Sequence, residues 1–111
     1  MLRVITDLYC RNIASVQVGN FLSPPFEINR GVMQGSKLGP ILFNIFINDL
    51  LNELHYSHLG AKIGNNTISA LGFADDIVLI SDDPGNLQIL IDICESWSSN
   101  NDMSFNFENA K

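Results

Sequence analysis

Gly72-Phe73-Ala74-Asp75-Asp76-Ile77-Val78-Leu79-Ile80 is the stretch on which the fold turns. Apolar segments flank an Asp-Asp pair on both sides, and short runs rich in Ile, Val and Leu around turn residues read as strands. The pair therefore falls at the tip of a hairpin between Leu71-Gly72-Phe73 and Ile77-Val78-Leu79-Ile80. Neighbouring carboxylates repel each other, so one of them protonates unless a cation offsets the charge. A hard divalent ion does so: Mg²⁺ takes one or two protein carboxylates and completes its octahedron with water and substrate phosphates. Taken alone, an Asp-Asp pair is more often a solvated turn. Here the apolar flanks make it a sheet element, and small Gly72 and Ala74 leave room for a ligand backbone to approach.

Downstream of this stretch Asp83 is placed as an N-cap and Pro84 as the first helical residue. Leu87, Leu90, Ile91, Cys94 and Trp97 then form one helical face that ends in Ser98-Ser99-Asn100-Asn101, and Met103 to Phe107 alternate as a final strand. Upstream, Asn65-Asn66 reads as a turn between Lys62-Ile63 and Thr67-Ile68. Before it, Pro40 to about Leu54 is a helix with Phe43, Phe46, Ile47, Leu50 and Leu54 on one face, widened by Leu42, Ile45 and Leu51. A helix so nearly encircled by apolar residues belongs in the middle of a core, under a sheet. Residues 1–11 read as a short helix. Ile13 to Ile28 read as a hairpin turning at Gly19-Asn20, with Pro24-Pro25 confining the return to an edge strand or extended loop.

Between that hairpin and the Pro40 helix lies a glycine-rich loop, Arg30-Gly31-Val32-Met33-Gln34-Gly35-Ser36-Lys37-Leu38-Gly39-Pro40. Such a loop brings backbone N–H groups against a nucleotide, while Gln34 and Lys37 offer an amide and a cation. Its spacing is that of neither a P-loop nor a dinucleotide fold, and a plain connection is the better reading of the loop in isolation.

The chain has 111 residues, 46% hydrophobic and 16% charged, enough for one core and one domain or part of one. No apolar run approaches the ~18 residues of a membrane-spanning helix, and the amino terminus lacks the apolar segment and cleavage site of a secretory signal. Cys10 and Cys94 are the only cysteines and form no CxxC pair, so both are expected as reduced thiols in an intracellular protein, with nucleus and cytoplasm left open. The formal charge of −6 argues at first sight against nucleic acid. Yet residues 1–55 are net neutral, and the whole acidic excess lies in residues 56–111, the half that carries Asp75-Asp76, where it suits divalent ions. His55 and His58, near a helix end with no acid-cysteine set, read as surface histidines; Cys94 and Trp97 read as core.

Together, in this order and about 40 residues apart, the glycine-rich segment and the Phe73-Ala74-Asp75-Asp76 box resemble the reverse transcriptases of non-LTR (LINE-type) retrotransposons. In that family a segment of the form RGVxQGxxLSPxLF precedes an F/Y-A-D-D box. Here the first runs from Arg30-Gly31-Val32-Met33-Gln34-Gly35 to Leu38-Gly39-Pro40-Ile41-Leu42-Phe43. The likeness extends over nearly the whole chain, including Leu8-Tyr9, Val16-Gln17-Val18 and the Ile45 to Leu51 helix. It implies an α+β fold, a partial polymerase palm whose antiparallel sheet carries an Asp-Asp hairpin packed on helices. By the same resemblance Asp75 binds both catalytic Mg²⁺ ions, with Mn²⁺ as an alternative, and Asp76 stands close as a weaker or outer ligand. Phe73 packs beneath the hairpin, Gln34 and Gly35 line the pocket for incoming nucleotide and template with Ala74 beside them, and Arg30 supports the loop or reaches backbone phosphate.

The chain also departs from the family pattern. Gly39 stands where Ser is usual, and Lys37 where a small residue or Pro is frequent. The downstream Asn-x-x-Lys box has no clean register, with Asn106 or Asn109 as its start and Lys111 as the last residue. The family's first catalytic Asp belongs to a strand upstream of the region matched; Asp7 aligns with the helix after that strand and reads as a helical surface acid. Residues 1–111 are accordingly expected to be a partial palm lacking that strand, the fingers and the thumb. The function expected is that of a fragment of an RNA-directed DNA polymerase, inactive alone, whose parent acts on RNA template, DNA primer and dNTPs without a membrane. The isolated chain is expected to self-associate, along the edge beside Asp75-Asp76 that the absent strand would cover. The alternative is a non-catalytic remnant of a decayed retroelement with at most an interaction role. A small metal-dependent hydrolase would need a further carboxylate or His near Asp75, and the sequence places none there.

Overall fold

A computed structural model describes residues 2–106 as an α+β chain of three helices and small antiparallel sheets. In order these are α1 (Leu2–Tyr9), β1 (Asn12–Ala14), β2 (Gln17–Val18), β3 (Phe21–Leu22), β4 (Phe26–Ile28), α2 (Gly39–Tyr56), β5 (Ala61–Ile63), β6 (Asn66–Ile68), β7 (Ala70–Phe73), β8 (Asp76–Leu79) and α3 (Pro84–Asn100). Met1–Leu42 and Phe43–Lys111 form two compact units.

The core of the second unit follows from helical spacing on α2 and α3. Ile47, Leu50 and Leu54 recur at three and four residues along α2, and Leu90, Cys94 and Trp97 along α3; among the described residues these form the buried apolar cluster. Leu50, Leu54 and Leu90 are wholly enclosed, each contributing about 1.5–3 kcal/mol by leaving water. Phe46 lies against Trp97 with ring centroids 5.1 Å apart in a tilted arrangement. Burial pushes the Cys94 thiol up to about 11, with the Glu53 carboxylate adding in the same direction.

Expected encirclement of α2 is not what the helix shows. Ile45 is 65% exposed and Ile41 55%, because the packed cluster meets the stripe of Ile47, Leu50 and Leu54 and leaves the other side open. Asp83 caps α3 as read from sequence, accepting from the Asn86 N–H at 2.9 Å with Pro84 behind it. Met103 to Asn106 form no strand. The Met103 N–H donates to Ser98 O at 2.9 Å, which closes off the helix end, and Phe105 packs against the core. Phe107 lies outside the described residues.

Each sheet has two strands: β1 with β4, β2 with β3, β5 with β6 and β7 with β8. Gly19-Asn20 makes the β2–β3 turn as expected, closing the Val18 and Phe21 pair. The β5–β6 turn is Gly64-Asn65, one residue earlier than Asn65-Asn66, because Ile63 pairs with Asn66 and Gly64 supplies the positive φ of +63° that the turn needs. The second unit is further tied by Ser81 Oγ donating to Leu59 O at 2.7 Å and by Asp82 Oδ2 accepting from the Lys62 N–H at 2.9 Å. Gly60 is required where it stands: a Cβ there would collide with the Ile68 carbonyl.

Candidate active site

In the β7–β8 hairpin Phe73 pairs with Asp76, Gly72 with Ile77, Leu71 with Val78 and Ala70 with Leu79. The two-residue connection is thus Ala74-Asp75; Asp76 is the first residue of β8 and not part of the turn. Ala74 takes a φ of +53°, a left-handed conformation rare for a residue with a Cβ. Opposed residues share a face and successive ones alternate. Ala70, Gly72, Ile77 and Leu79 therefore form one face and Leu71, Phe73, Asp76 and Val78 the other. The first face lies on the core, where Ala70, Ile77 and Leu79 pack. The Ile80 N–H donates to Ser69 O at 2.9 Å and carries the ladder past the strand end.

Two expectations at this hairpin change. Phe73 does not pack beneath it: its side chain is 82% exposed, on the same open face as Asp76. Gly72 does not make room for a ligand. A Cβ there would meet Leu51 Cδ1 of α2 at 3.2 Å, so the missing side chain lets the hairpin settle on α2. Leu51 gave no signal in sequence beyond its place among the apolar residues of that helix.

Asp75 and Asp76 are both exposed. Among the described residues neither carboxylate takes part in a hydrogen bond or ion pair, and no group of three or more His, Cys, Asp and Glu gathers. Hard, adjacent, open carboxylates on a hairpin anchored to a core fit the partial donor set that Mg²⁺ takes from protein, the rest being water and phosphate oxygen.

In the first unit the glycine-rich loop contains a tight turn. The Ser36 N–H donates to Met33 O at 3.1 Å, so Gln34 and Gly35 are its central residues, and Gly35 has a φ of +78°. A turn with positive φ only at its second central residue is of type II and calls for glycine there. Ser36 Oγ accepts from the Leu38 N–H at 3.2 Å, and the Leu42 N–H bonds Leu38 O as α2 begins. Gly39 is buried at this junction, where a Cβ would lie 3.2 Å from Met33 O. Arg30, Gln34 and Gly31 line a cleft of about 640 Å³ with Tyr9 of α1 and Asn12 of β1. The Tyr9 hydroxyl is buried with no hydrogen-bond partner among the described residues; nothing local in the sequence marks it, since a Tyr on a short helix reads the same whether its hydroxyl is buried or open. Arg30 and Gln34 thus belong to one cleft, and Phe73, Ala74, Asp75 and Asp76 to one hairpin. Gly35 and Lys37 lie exposed in the loop. Asn106 is exposed in the irregular segment after α3, whereas Asn109 and Lys111 lie outside the described residues. Asp7 is an exposed residue of α1, and His55 and His58 are exposed.

A region of 70 residues is 47% identical to the retrovirus-related Pol polyprotein from the type-2 retrotransposable element R2DM of Drosophila melanogaster, covering 63% of the chain and 6% of that protein. A region of 83 residues is 35% identical to the Pol polyprotein from the type-1 retrotransposable element R2 of Popillia japonica, covering 74% of the chain and 13% of the relative. A third, the corresponding R2 polyprotein of Nasonia vitripennis, is 42% identical over 59 residues, which is 53% of the chain and 6% of the relative. The chain therefore spans only a small part of the length of the relatives it matches. No solved structure gives a significant match. The family model for reverse transcriptase (RNA-dependent DNA polymerase) matches residues 2–110, and the chain belongs to that family.

Proposed function

We propose that the chain is a portion of a reverse transcriptase palm and that Asp75 and Asp76 are its metal-binding carboxylates in nucleotidyl transfer. The observation that carries this reading is the hairpin itself: two open carboxylates at the end of strands whose other face is fixed to the α2–α3 core. Asp75 and Asp76 would hold Mg²⁺, or Mn²⁺ in its place, and the chemistry such an ion would supply is activation of a primer 3′-hydroxyl and neutralisation of charge on the departing pyrophosphate.

The chain's own residues position and bind. Asp75, at the turn, would be the primary ligand of the metal that meets the reacting phosphate, and Asp76, opening β8, would act from beside it as a weaker or outer ligand. Phe73, open on the Asp76 face, offers an apolar platform to a sugar or base, and Ala74 keeps the tip narrow. The Gln34-Gly35 turn presents a side-chain amide to nucleotide or template, and Arg30 at the cleft supplies positive charge to phosphate or holds the loop. RNA template, DNA primer and dNTPs would be engaged by a longer protein that adds the strand with the first Asp, the fingers and the thumb. Residues 1–111 alone are then inactive, in an intracellular setting consistent with the free thiols of Cys10 and Cys94.

Titration with Mn²⁺ while recording amide NMR spectra tests the metal assignment. Paramagnetic broadening centred on Ala74, Asp75 and Asp76, and lost in Asp75→Asn, is expected. Broadening elsewhere with these amides sharp at millimolar Mn²⁺ would overturn it.

A further inference from the structure

Glycine is poorly suited to the inside of a strand, since it loses the most backbone freedom on folding and offers no side chain to pack, yet Gly72 stands within β7. No unusual backbone angle demands it: Gly19, Gly31, Gly35 and Gly64 take positive φ, and Gly72 does not. The neighbouring helix demands it instead. A Cβ at this position would stand 3.2 Å from Leu51 Cδ1 and 3.4 Å from Leu51 Cδ2, both inside the ~3.5–4.0 Å at which carbon atoms attract best. Leu51 is held in turn, because it packs against the enclosed cluster of α2 and α3, and side chains at interior packing density keep their rotamers.

Support for the hairpin is uneven along its length. β7 and β8 pair only with each other, so the angle at which they leave the core is set by what lies beneath them. At the base the Ile80 N–H is bonded to Ser69 O, and Ala70 and Leu79 pack on the core. Next along the same face Ile77 packs there too, and its partner Gly72 meets Leu51. Beyond that pair come Phe73, Ala74, Asp75 and Asp76, all exposed. Among the described residues the Leu51 methyls are therefore the outermost support on the core-facing side, and the tip projects roughly 7–10 Å past them at about 3.3 Å per residue.

We infer that Leu51 is a positioning residue: seated in the notch that Gly72 leaves, it sets the height of Asp75 and Asp76 above α2. Given the proposed metal-binding role of this hairpin, on which this inference rests, the consequence is chemical. Metal ligands drawn from separate elements cooperate only when each element is held to within about 0.5 Å, and a side chain added at residue 72 would move the tip by more than that. Leu51 touches neither carboxylate; it acts through the strand that carries them.

Mn²⁺ added to the full chain measures that height by NMR, because the broadening a bound ion imposes on the methyl groups of Ile47, Leu50 and Leu54 in α2 falls with the sixth power of distance. In Gly72→Val, a lift of one C–C bond length, about 1.5 Å, at a separation of roughly 12 Å should reduce the α2 methyl broadening about twofold at equal occupancy, with the tip amides still broadened. Leu51→Ala removes as many carbons as Gly72→Val adds, so the double variant should recover the wild-type ratio of methyl to amide broadening. Ile93→Ala, which trims the same cluster from α3, should not rescue. Gly72→Ala should change the ratio in the same direction by less, and it serves where circular dichroism shows Gly72→Val unfolded. An unchanged ratio in the Gly72 variants, a double variant that stays displaced, or equal rescue by Ile93→Ala would overturn the inference alone. A wild type whose tip amides stay sharp at millimolar Mn²⁺ would overturn it together with the metal assignment.

Discussion

Asp75 and Asp76 are neighbours in sequence with different backbone duties, one in a two-residue turn and one at the head of a strand. That difference ranks them. In a complete reverse transcriptase carrying this hairpin, Asp75→Asn should reduce templated incorporation to background. Asp76→Asn should leave measurable turnover that rises with Mg²⁺ or Mn²⁺, because a supporting carboxylate is replaced more easily than a primary ligand. A steady-state assay of both variants across a metal series reads the order; a more active Asp75→Asn would reverse the roles. The two thiols also separate at this scale. Cys10 is exposed, whereas Cys94 is buried and its thiol is pushed up to about 11. A thiol reagent at pH 8 should modify Cys10 at least about tenfold faster than Cys94, a difference abolished in denaturant. The folded state holds the Cys94 proton more tightly than the unfolded state, so its stability contribution is complete below about pH 9 and is lost as pH rises toward 11. Urea midpoints should fall across that window less steeply in Cys94→Ala than in wild type.

At the scale of elements, the sequence speaks clearly where one local rule decides and poorly where packing does. The α3 start was legible because Asp83 and Pro84 act within one turn, and the Gly19-Asn20 turn because a two-residue hairpin asks for such residues. The Asp-Asp tip was displaced by one residue because nothing local announces that Ala74 adopts a φ of +53°. Phe73 was placed beneath the hairpin by the family resemblance, and the strand pattern offered no check, since an aromatic residue in an apolar strand reads the same whether or not its face is covered. Gly72 was assigned to a ligand because Leu51, twenty-one residues away, has no local signature. Three substitutions follow. Ala74→Gly should stabilise the second unit by up to about 1 kcal/mol by relieving the left-handed turn residue. Asp83→Ala should cost about 1 kcal/mol through the lost cap, and Leu90→Ala about 2–5 kcal/mol from a fully enclosed site. Chemical denaturation of each variant measures all three.

On the scale of the whole molecule, the two units carry different parts of the proposed chemistry: the first holds the Gln34-Gly35 turn and the cleft with Arg30, the second the carboxylate hairpin. The most direct test is transplantation. Residues 30–82 are grafted into an active R2-type reverse transcriptase in place of its matching segment, and primer extension on an RNA template with Mg²⁺ is measured for the chimera and for its Asp75→Asn form. Templated DNA synthesis by the first, with synthesis by the second at the no-enzyme level, is the expected result. A folded chimera whose synthesis is the same with Asp75 intact or replaced would contradict the assignment of this hairpin as the metal-binding end of a polymerase palm.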